Sequence, residues 1–364
     1  MIYNHFSDLK LSALGLGCMR LPLNSEDETD VNEAAVAEMV QVALDHGINY
    51  FDTAWRYHGG NSETVMGNVL SKYPRNSYYI ASKFPGFSIE NMEDPAAIFE
   101  EQLRKCQVEH FDFYLFHNVC ERNIDWLLDP KYGVGEYLIA QKKAGRIRHL
   151  GFSTHGSRAV IQRFLDAYGS ELSFCQIQLN YLDWKLQSAK EKVELLNKYQ
   201  IPIWVMEPVR GGRLVNLPAE AGEKLQALRP GVTTPEWAFR FLQSVDGVTM
   251  VLSGMSNIQQ LMENIETFSH RKPLNEVEHQ ALMKIADDMI RSNKVPCTGC
   301  SYCVEHCAMG LNIPELIQHY NDSSVPQSKG PENCIGCRKC ESLCPQGIKI
   351  SQVMKSFSQK LKKG

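Results

Sequence analysis

The chain has 364 residues, 43% hydrophobic and 22% charged, which is long for one compact domain, rich enough for a large core and unlike a disordered composition. A net charge of -4 gives no reason to expect nucleic acid as a partner. The first residues, Met-Ile-Tyr-Asn-His-Phe-Ser-Asp, lack the basic start and apolar run of a secretory leader. No stretch approaches the ~18 apolar residues that span a bilayer, so a cytoplasmic chain with no membrane attachment is expected.

From about residue 12 to 268, short apolar runs alternate with longer stretches whose apolar residues recur at helical spacing, the pattern of repeated βα units. A helix is expected over 31–45. Asp30 and Glu33 form its capping box, Val36, Met39, Val40, Ala43 and Leu44 share one face, and Gly47 follows its end. The same stripe recurs at Val160, Ile161, Phe164, Leu165 and Tyr168, and at Ile258, Leu261, Met262, Ile265 and Phe268. Thr234 and Pro235 open another helix at the cap and first turn. Eight strands are expected between the helices, at Leu14–Gly17, Tyr50–Asp52, Tyr78–Lys83, Asp112–His117, His149–Ser153, Phe174–Leu179, Pro202–Met206 and Gly247–Ser253. Such runs suit parallel strands buried on both faces, and eight βα units favour an α/β fold closed into a (β/α)8 TIM barrel. An open doubly wound sheet is the alternative, weakened by the lack of a Gly-x-Gly-x-x-Gly loop after the first strand. The barrel is expected over 1–270, a connecting helix over 271–295, and a small, mostly helical domain over 296–364.

Eight of the twelve cysteines fall between Cys297 and Cys344. In a reducing compartment such crowding points to metal or clusters over disulfides. The tail repeats internally with a 37-residue offset, and each half reads Cys-x2-Cys-x2-Cys-x3-Cys, the spacing of two-cluster bacterial ferredoxins. In that arrangement the fourth cysteine of each half ligates the other cluster. One four-iron four-sulfur (4Fe-4S) cube would be held by Cys297, Cys300, Cys303 and Cys344, the other by Cys334, Cys337, Cys340 and Cys307. Pro345 follows Cys344 as expected, whereas Ala308 replaces the other proline. Structural zinc is the alternative, since paired Cys-x-x-Cys units also make tetrahedral sites. Each half ends in an apolar stripe, Leu311 to Tyr320 and Ile348 to Phe357, that predicts an amphipathic helix. Four lysines in the last ten residues form either a solvated end or a surface for an acidic redox protein.

Segment 51–63, Phe-Asp-Thr-Ala-Trp-Arg-Tyr-His-Gly-Gly-Asn-Ser-Glu, resembles the signature of the aldo-keto reductase family. Ala81-Ser82-Lys83, Tyr114-Leu115-Phe116-His117 and Gly151-Phe152-Ser153 fit that family in order. With its tail, the chain resembles the branch that carries a ferredoxin-like domain, over nearly its whole length. The resemblance implies four catalytic residues, Asp52, Tyr57, Lys83 and His117. The physical reading agrees, because Asp52, Lys83 and His117 stand at C-terminal ends of expected strands, with Tyr57 just beyond one, and barrel active sites lie on that face. Taken singly, each has a structural explanation, such as a helix cap or a packed ring; their joint placement points to chemistry. Tyr57 would donate the proton to a carbonyl oxygen as hydride reaches its carbon. Lys83, held by Asp52, would favour the phenolate of a phenol whose free pKa is ~10, and His117 would orient the oxygen.

By the same resemblance, Ser153 and Gln176 hold the nicotinamide carboxamide, Thr154 stands where the family often has asparagine, and Met206 replaces the aromatic ring that packs on the nicotinamide. The adenosine-phosphate site falls at Gly254, Gln260 and Asn264, where a helix N-terminus suits anions. Gly254 and Gln260 lack the charges of strongly NADPH-selective relatives, so NADH or NADPH is expected without strong NADPH selectivity. The expected activity is hydride transfer between a nicotinamide and a small aldehyde, ketone or sugar-like carbonyl, or the corresponding alcohol. The alternative is a barrel scaffold for an electron-transfer or redox-sensing module that docks a redox protein partner.

Overall fold

The computed structural model describes residues 1–292 and 294–362. Eight parallel strands close into a barrel in chain order: β1 Leu14–Gly17, β2 Tyr50–Asp52, β3 Tyr79–Phe84, β4 Phe111–Val119, β5 Ile147–Thr154, β6 Phe174–Gln178, β7 Ile203–Met206 and β8 Val248–Ser253. β8 pairs with both β7 and β1, which removes every sheet edge. All eight expected strands are present: β1 and β2 have the expected bounds, and the other six differ by one or two residues at one or both ends.

Two short strands that the sequence pattern does not reveal, Tyr3–Phe6 and Leu9–Ser12, form an antiparallel hairpin ahead of β1. Its Phe6 packs among Tyr50, Phe113, Phe174 and Trp204 in the barrel interior, with ring centroids 5.0 Å from Trp204 and 5.7 Å from Phe113. These side chains come from the starts of their strands, so the hairpin plugs the end opposite the strand C-termini. The interior is a packed core, as in other closed eight-stranded barrels. Gly151 is part of that packing, because a Cβ there would lie 2.5 Å from the Phe174 ring.

The helix expected over 31–45 spans Glu33–Asp45, and its cap is Asn32, whose side chain accepts from the Ala35 amide at 3.0 Å. Asp30 is drawn away to Asn24 and Ser25, so the expected capping box does not form. The helix opened by Pro235 is capped one residue earlier than expected, by Thr233. Ser157 caps helix Arg158–Tyr168, which buries Val160, Ile161, Phe164 and Leu165 as the stripe predicts.

The chain divides into two compact units, Met1–Pro208 with Gly231–His279, and Val209–Pro230 with Gln280–Gly364. The partition differs from a cut at 270 or 295. The segment following β7, residues 209–230, which includes helix Ala219–Leu228, clusters with the cysteine-rich tail, and helix Glu276–Arg291 straddles the boundary. In the tail, helices Ile313–Asp322 and Ile350–Leu361 bury Ile313, Leu316, Ile317, Ile350, Met354 and Phe357 against each other and the cysteine loops. The lysine-rich end runs into residues 363–364, which lie outside the described residues. No helix among the described residues is long and apolar enough to cross a membrane.

Candidate active site and cysteine cavities

The C-terminal ends of β2, β3 and β4 deliver Asp52, Lys83 and His117, and a 3-10 turn over Tyr57–Gly60 delivers Tyr57. The Lys83 ammonium is fully buried and donates to Asp52 Oδ1 at 2.5 Å, to the Thr53 carbonyl at 2.7 Å and to the Tyr57 hydroxyl at 3.3 Å. The Tyr57 ring meets His117 edge-on at 6.0 Å, and Phe87 backs the imidazole at 4.8 Å. The four residues singled out in the sequence are therefore neighbours. His117 Nδ1 is buried and without a hydrogen-bond partner among the described residues, an unusual state that suits a group kept ready for a ligand.

Burial dominates the electrostatics. It pushes the Tyr57 phenol well above 10, and the charges of Asp52 and Glu207 push the same way. This differs from the expectation that Lys83 would favour the phenolate: desolvation of a buried anion outweighs one neighbouring ammonium already engaged by a carboxylate. Tyr57 is thus a protonated phenol at neutral pH. Burial, with Lys83 beside it, holds His117 well below 6.5, so the imidazole is neutral.

A second polar layer lies beneath the quartet. Glu63 is fully buried and accepts from Ser82 Oγ and Gln102 Nε2, both at 2.5 Å, and Gln102 also donates to the Lys83 carbonyl at 3.1 Å. These bonds fix the backbone that carries Lys83. His58, in the left-handed region at φ 54°, accepts from the Leu21 amide at 3.0 Å, and its Nδ1 bonds the Glu28 carbonyl at 2.8 Å. It pins the β1 loop beside Tyr57. Sequence reading gave neither residue a role, though both belong to the segment that includes Tyr57.

Ser153, next to the end of β5, and Gln176, in the middle of β6, are cross-strand partners. Ser153 Oγ accepts from the Asn118 amide at 2.8 Å, while Gln176 Oε1 is buried without a partner among the described residues. Met206 ends β7 in register with Gln178. Thr154 is engaged structurally, donating to the Val119 carbonyl at 2.6 Å and accepting from the Gly156 amide at 2.9 Å. At the end of β8, Asn264 donates to Ser253 Oγ at 3.2 Å, and Gln260 Oε1 accepts from the Ser256 amide at 2.9 Å. The stem of Arg20 passes 3.3–3.4 Å from the position of a Cβ on Gly254. The loop after β1 thus brings the stem of a basic side chain, which the sequence reading did not consider, beside the expected phosphate site.

In the tail unit the cysteines line two small pockets. Cys297, Cys300, Cys303 and Cys344 share the first, and Cys307, Cys334, Cys337 and Cys340 share the second. Each set draws one cysteine from the other half of the repeat, as the expected crossed ligation requires. The thiols acting on Cys303 are Cys300, Cys297 and Cys344; those acting on Cys340 are Cys307, Cys334 and Cys337. Among the described residues no trio of histidine, cysteine or carboxylate side chains is gathered for a single ion; the cysteines stand around the cavity walls.

The sequence model of the Aldo/keto reductase family matches residues 13–287. The chain belongs to the aldo-keto reductase family. A 4Fe-4S dicluster domain matches residues 296–348, making the chain an aldo-keto reductase-type oxidoreductase with a C-terminal 4Fe-4S domain. It is 26% identical over 307 residues to the uncharacterized oxidoreductase YqkF of Bacillus subtilis, covering 76% of this chain and 93% of that one. It is 26% identical over 225 residues to the NADH-specific methylglyoxal reductase of Escherichia coli, 57% of this chain and 67% of that one. Among solved structures, the holo form of aldo-keto reductase AKR11C1 from Bacillus halodurans superposes with a TM-score of 0.64 at 27% identity, covering 78% of this aldo-keto reductase and 96% of that chain.

Proposed function

We propose that this aldo-keto reductase transfers hydride from a nicotinamide to a small aldehyde, ketone or sugar-like carbonyl, and that its tail holds two 4Fe-4S clusters. The observation that carries the first part is one buried ammonium, Lys83, joining Asp52 Oδ1 and the Tyr57 hydroxyl, beside a buried imidazole nitrogen that lacks a partner among the described residues. The nicotinamide supplies the hydride when bound. Gln176 Oε1, buried and without a partner among the described residues, fits a carboxamide N–H, with Ser153 alongside and Met206 packing on the ring. Tyr57 gives its proton to the oxygen on which negative charge builds, and His117 hydrogen-bonds the same oxygen. Such proton transfer typically contributes 10²- to 10⁴-fold. The similarity to an NADH-specific methylglyoxal reductase supports a small carbonyl and an NADH-tolerant site. Tyr57→Phe should abolish carbonyl reduction while nicotinamide binding persists; undiminished reduction would reject the assignment.

The crossed cysteine sets fit two cubes, because a four-iron cluster spreads its thiolates over the corners of a cube while zinc draws them to one point. The clusters supply one-electron redox capacity in this reading, and the cytoplasm is where their thiolates stay reduced. Iron and acid-labile sulfide on anaerobically purified protein test it, and zinc in their place would refute it.

A further inference from the structure

The loop leaving β7 brings two arginines into the tail unit. Arg210 is fully buried, its backbone in the left-handed region at φ 53°. Its Nη1 donates to the Pro296 carbonyl at 3.1 Å and its Nη2 to Gln346 Oε1 at 2.8 Å. Pro296 immediately precedes Cys297, and Gln346 follows Cys344 by two positions. One guanidinium therefore ties together the two segments, from opposite halves of the repeat, that must meet to complete the first cysteine set. Half-buried Arg213 adds a bond to the Val295 carbonyl at 3.0 Å. Both positive charges act on the Cys297 sulfur, and the Glu341 carboxylate acts on Cys344 of this set as well as on Cys340 of the second, so the buried guanidinium is what sets the first apart. The second set has basic residues too, Arg338 and Lys339, but these are exposed, where water screens them.

We propose that Arg210 is a positioning and charge-tuning residue for the cluster held by Cys297, Cys300, Cys303 and Cys344, raising the reduction potential of that cluster and not of the other. Reduction adds one negative charge to the cluster. A cation fixed in a low-dielectric surrounding stabilises the added charge far more than an exposed one does. Arg210 lies four residues beyond Met206, so the segment that tunes this cluster continues directly from the strand proposed to pack on the nicotinamide. The inference rests on the two-cluster reading above.

The test is a redox titration of the full-length, anaerobically purified, iron-loaded protein, followed by electron paramagnetic resonance. In Arg210→Gln, one of the two midpoints should fall so that the reduced-to-oxidised ratio at fixed solution potential drops at least tenfold, about 59 mV for a one-electron couple. The other midpoint should stay in place, and Arg210→Lys, which keeps the charge, should recover much of the fall. Arg338→Gln should leave the Arg210-sensitive midpoint untouched. Unmoved midpoints, or both moving together, would overturn the proposal. If Arg210→Gln does not retain iron, Arg213→Gln decides: a smaller fall of the midpoint that Arg338→Gln leaves untouched supports the proposal, and no fall overturns it. Failure of the parent protein to hold eight irons, which the crossed sets require, would instead remove the cluster reading itself.

Discussion

Replacing Lys83 by methionine removes an ammonium that sits 2.5 Å from Asp52 Oδ1 with neither group meaningfully exposed. At an effective dielectric of ~20, two charges at that separation attract with about 7 kcal/mol. Most of this offsets the cost of taking both ions out of water. Removing one partner leaves that cost uncompensated, so Lys83→Met should destabilise the barrel by about 3–5 kcal/mol. Asp52→Asn should cost a similar amount. Because no buried charge is then left alone, the double variant should return to within about 2 kcal/mol of the parent. Reduction should nevertheless stay abolished, since Tyr57 loses the ammonium that orients its hydroxyl. Urea unfolding followed by tryptophan fluorescence is the assay. All five tryptophans, Trp55, Trp126, Trp184, Trp204 and Trp237, fall in the barrel unit, so the signal reports that unit alone. Single-variant costs that add in the double variant to within about 0.5 kcal/mol would show that the two groups do not interact, and would refute the reasoning.

The upward displacement of the Tyr57 phenol means that the folded free protein keeps it protonated through pH 10. The difference absorbance between parent and Tyr57→Phe should accordingly show no phenolate between neutral pH and 10; a titration inside that range would mean that Lys83 outweighs burial after all. His117, held well below 6.5 by burial, should stay neutral at physiological pH, so its C2-proton resonance should not titrate there, and a midpoint near 6.5 would contradict the burial argument. Titrating both nicotinamides should show no strong NADPH preference. A preference of about 100-fold for NADPH, or ~2.7 kcal/mol, would mean that Arg20 supplies the charge missing from Gly254 and Gln260.

The barrel was legible because its strands are apolar runs buried on both faces and its helices carry a one-sided stripe. Local periodicity reports such burial whatever the partner. The grouping of the cysteines into two crossed sets was legible for a similar reason: the repeat and its Cys-x2-Cys-x2-Cys-x3-Cys spacing are local features of the chain. The helix cap at Asn32 was misread because several side chains near that turn compete as acceptors, and only the fold shows that Asp30 prefers Asn24 and Ser25. The hairpin that plugs the barrel was missed because Tyr3–Phe6 and Leu9–Ser12 are too short for a pattern.

By itself, then, the sequence determined the eight-stranded order, the four residues brought to one rim and the crossed cysteine sets, all properties written in local spacing. Tertiary structure alone decided that burial and Asp52 hold the Tyr57 phenol protonated, that Glu63 anchors the backbone of Lys83, and that the loop after β7 lends Arg210 to the tail. These depend on desolvation and on contacts between residues distant along the chain, and no run of neighbouring letters encodes either.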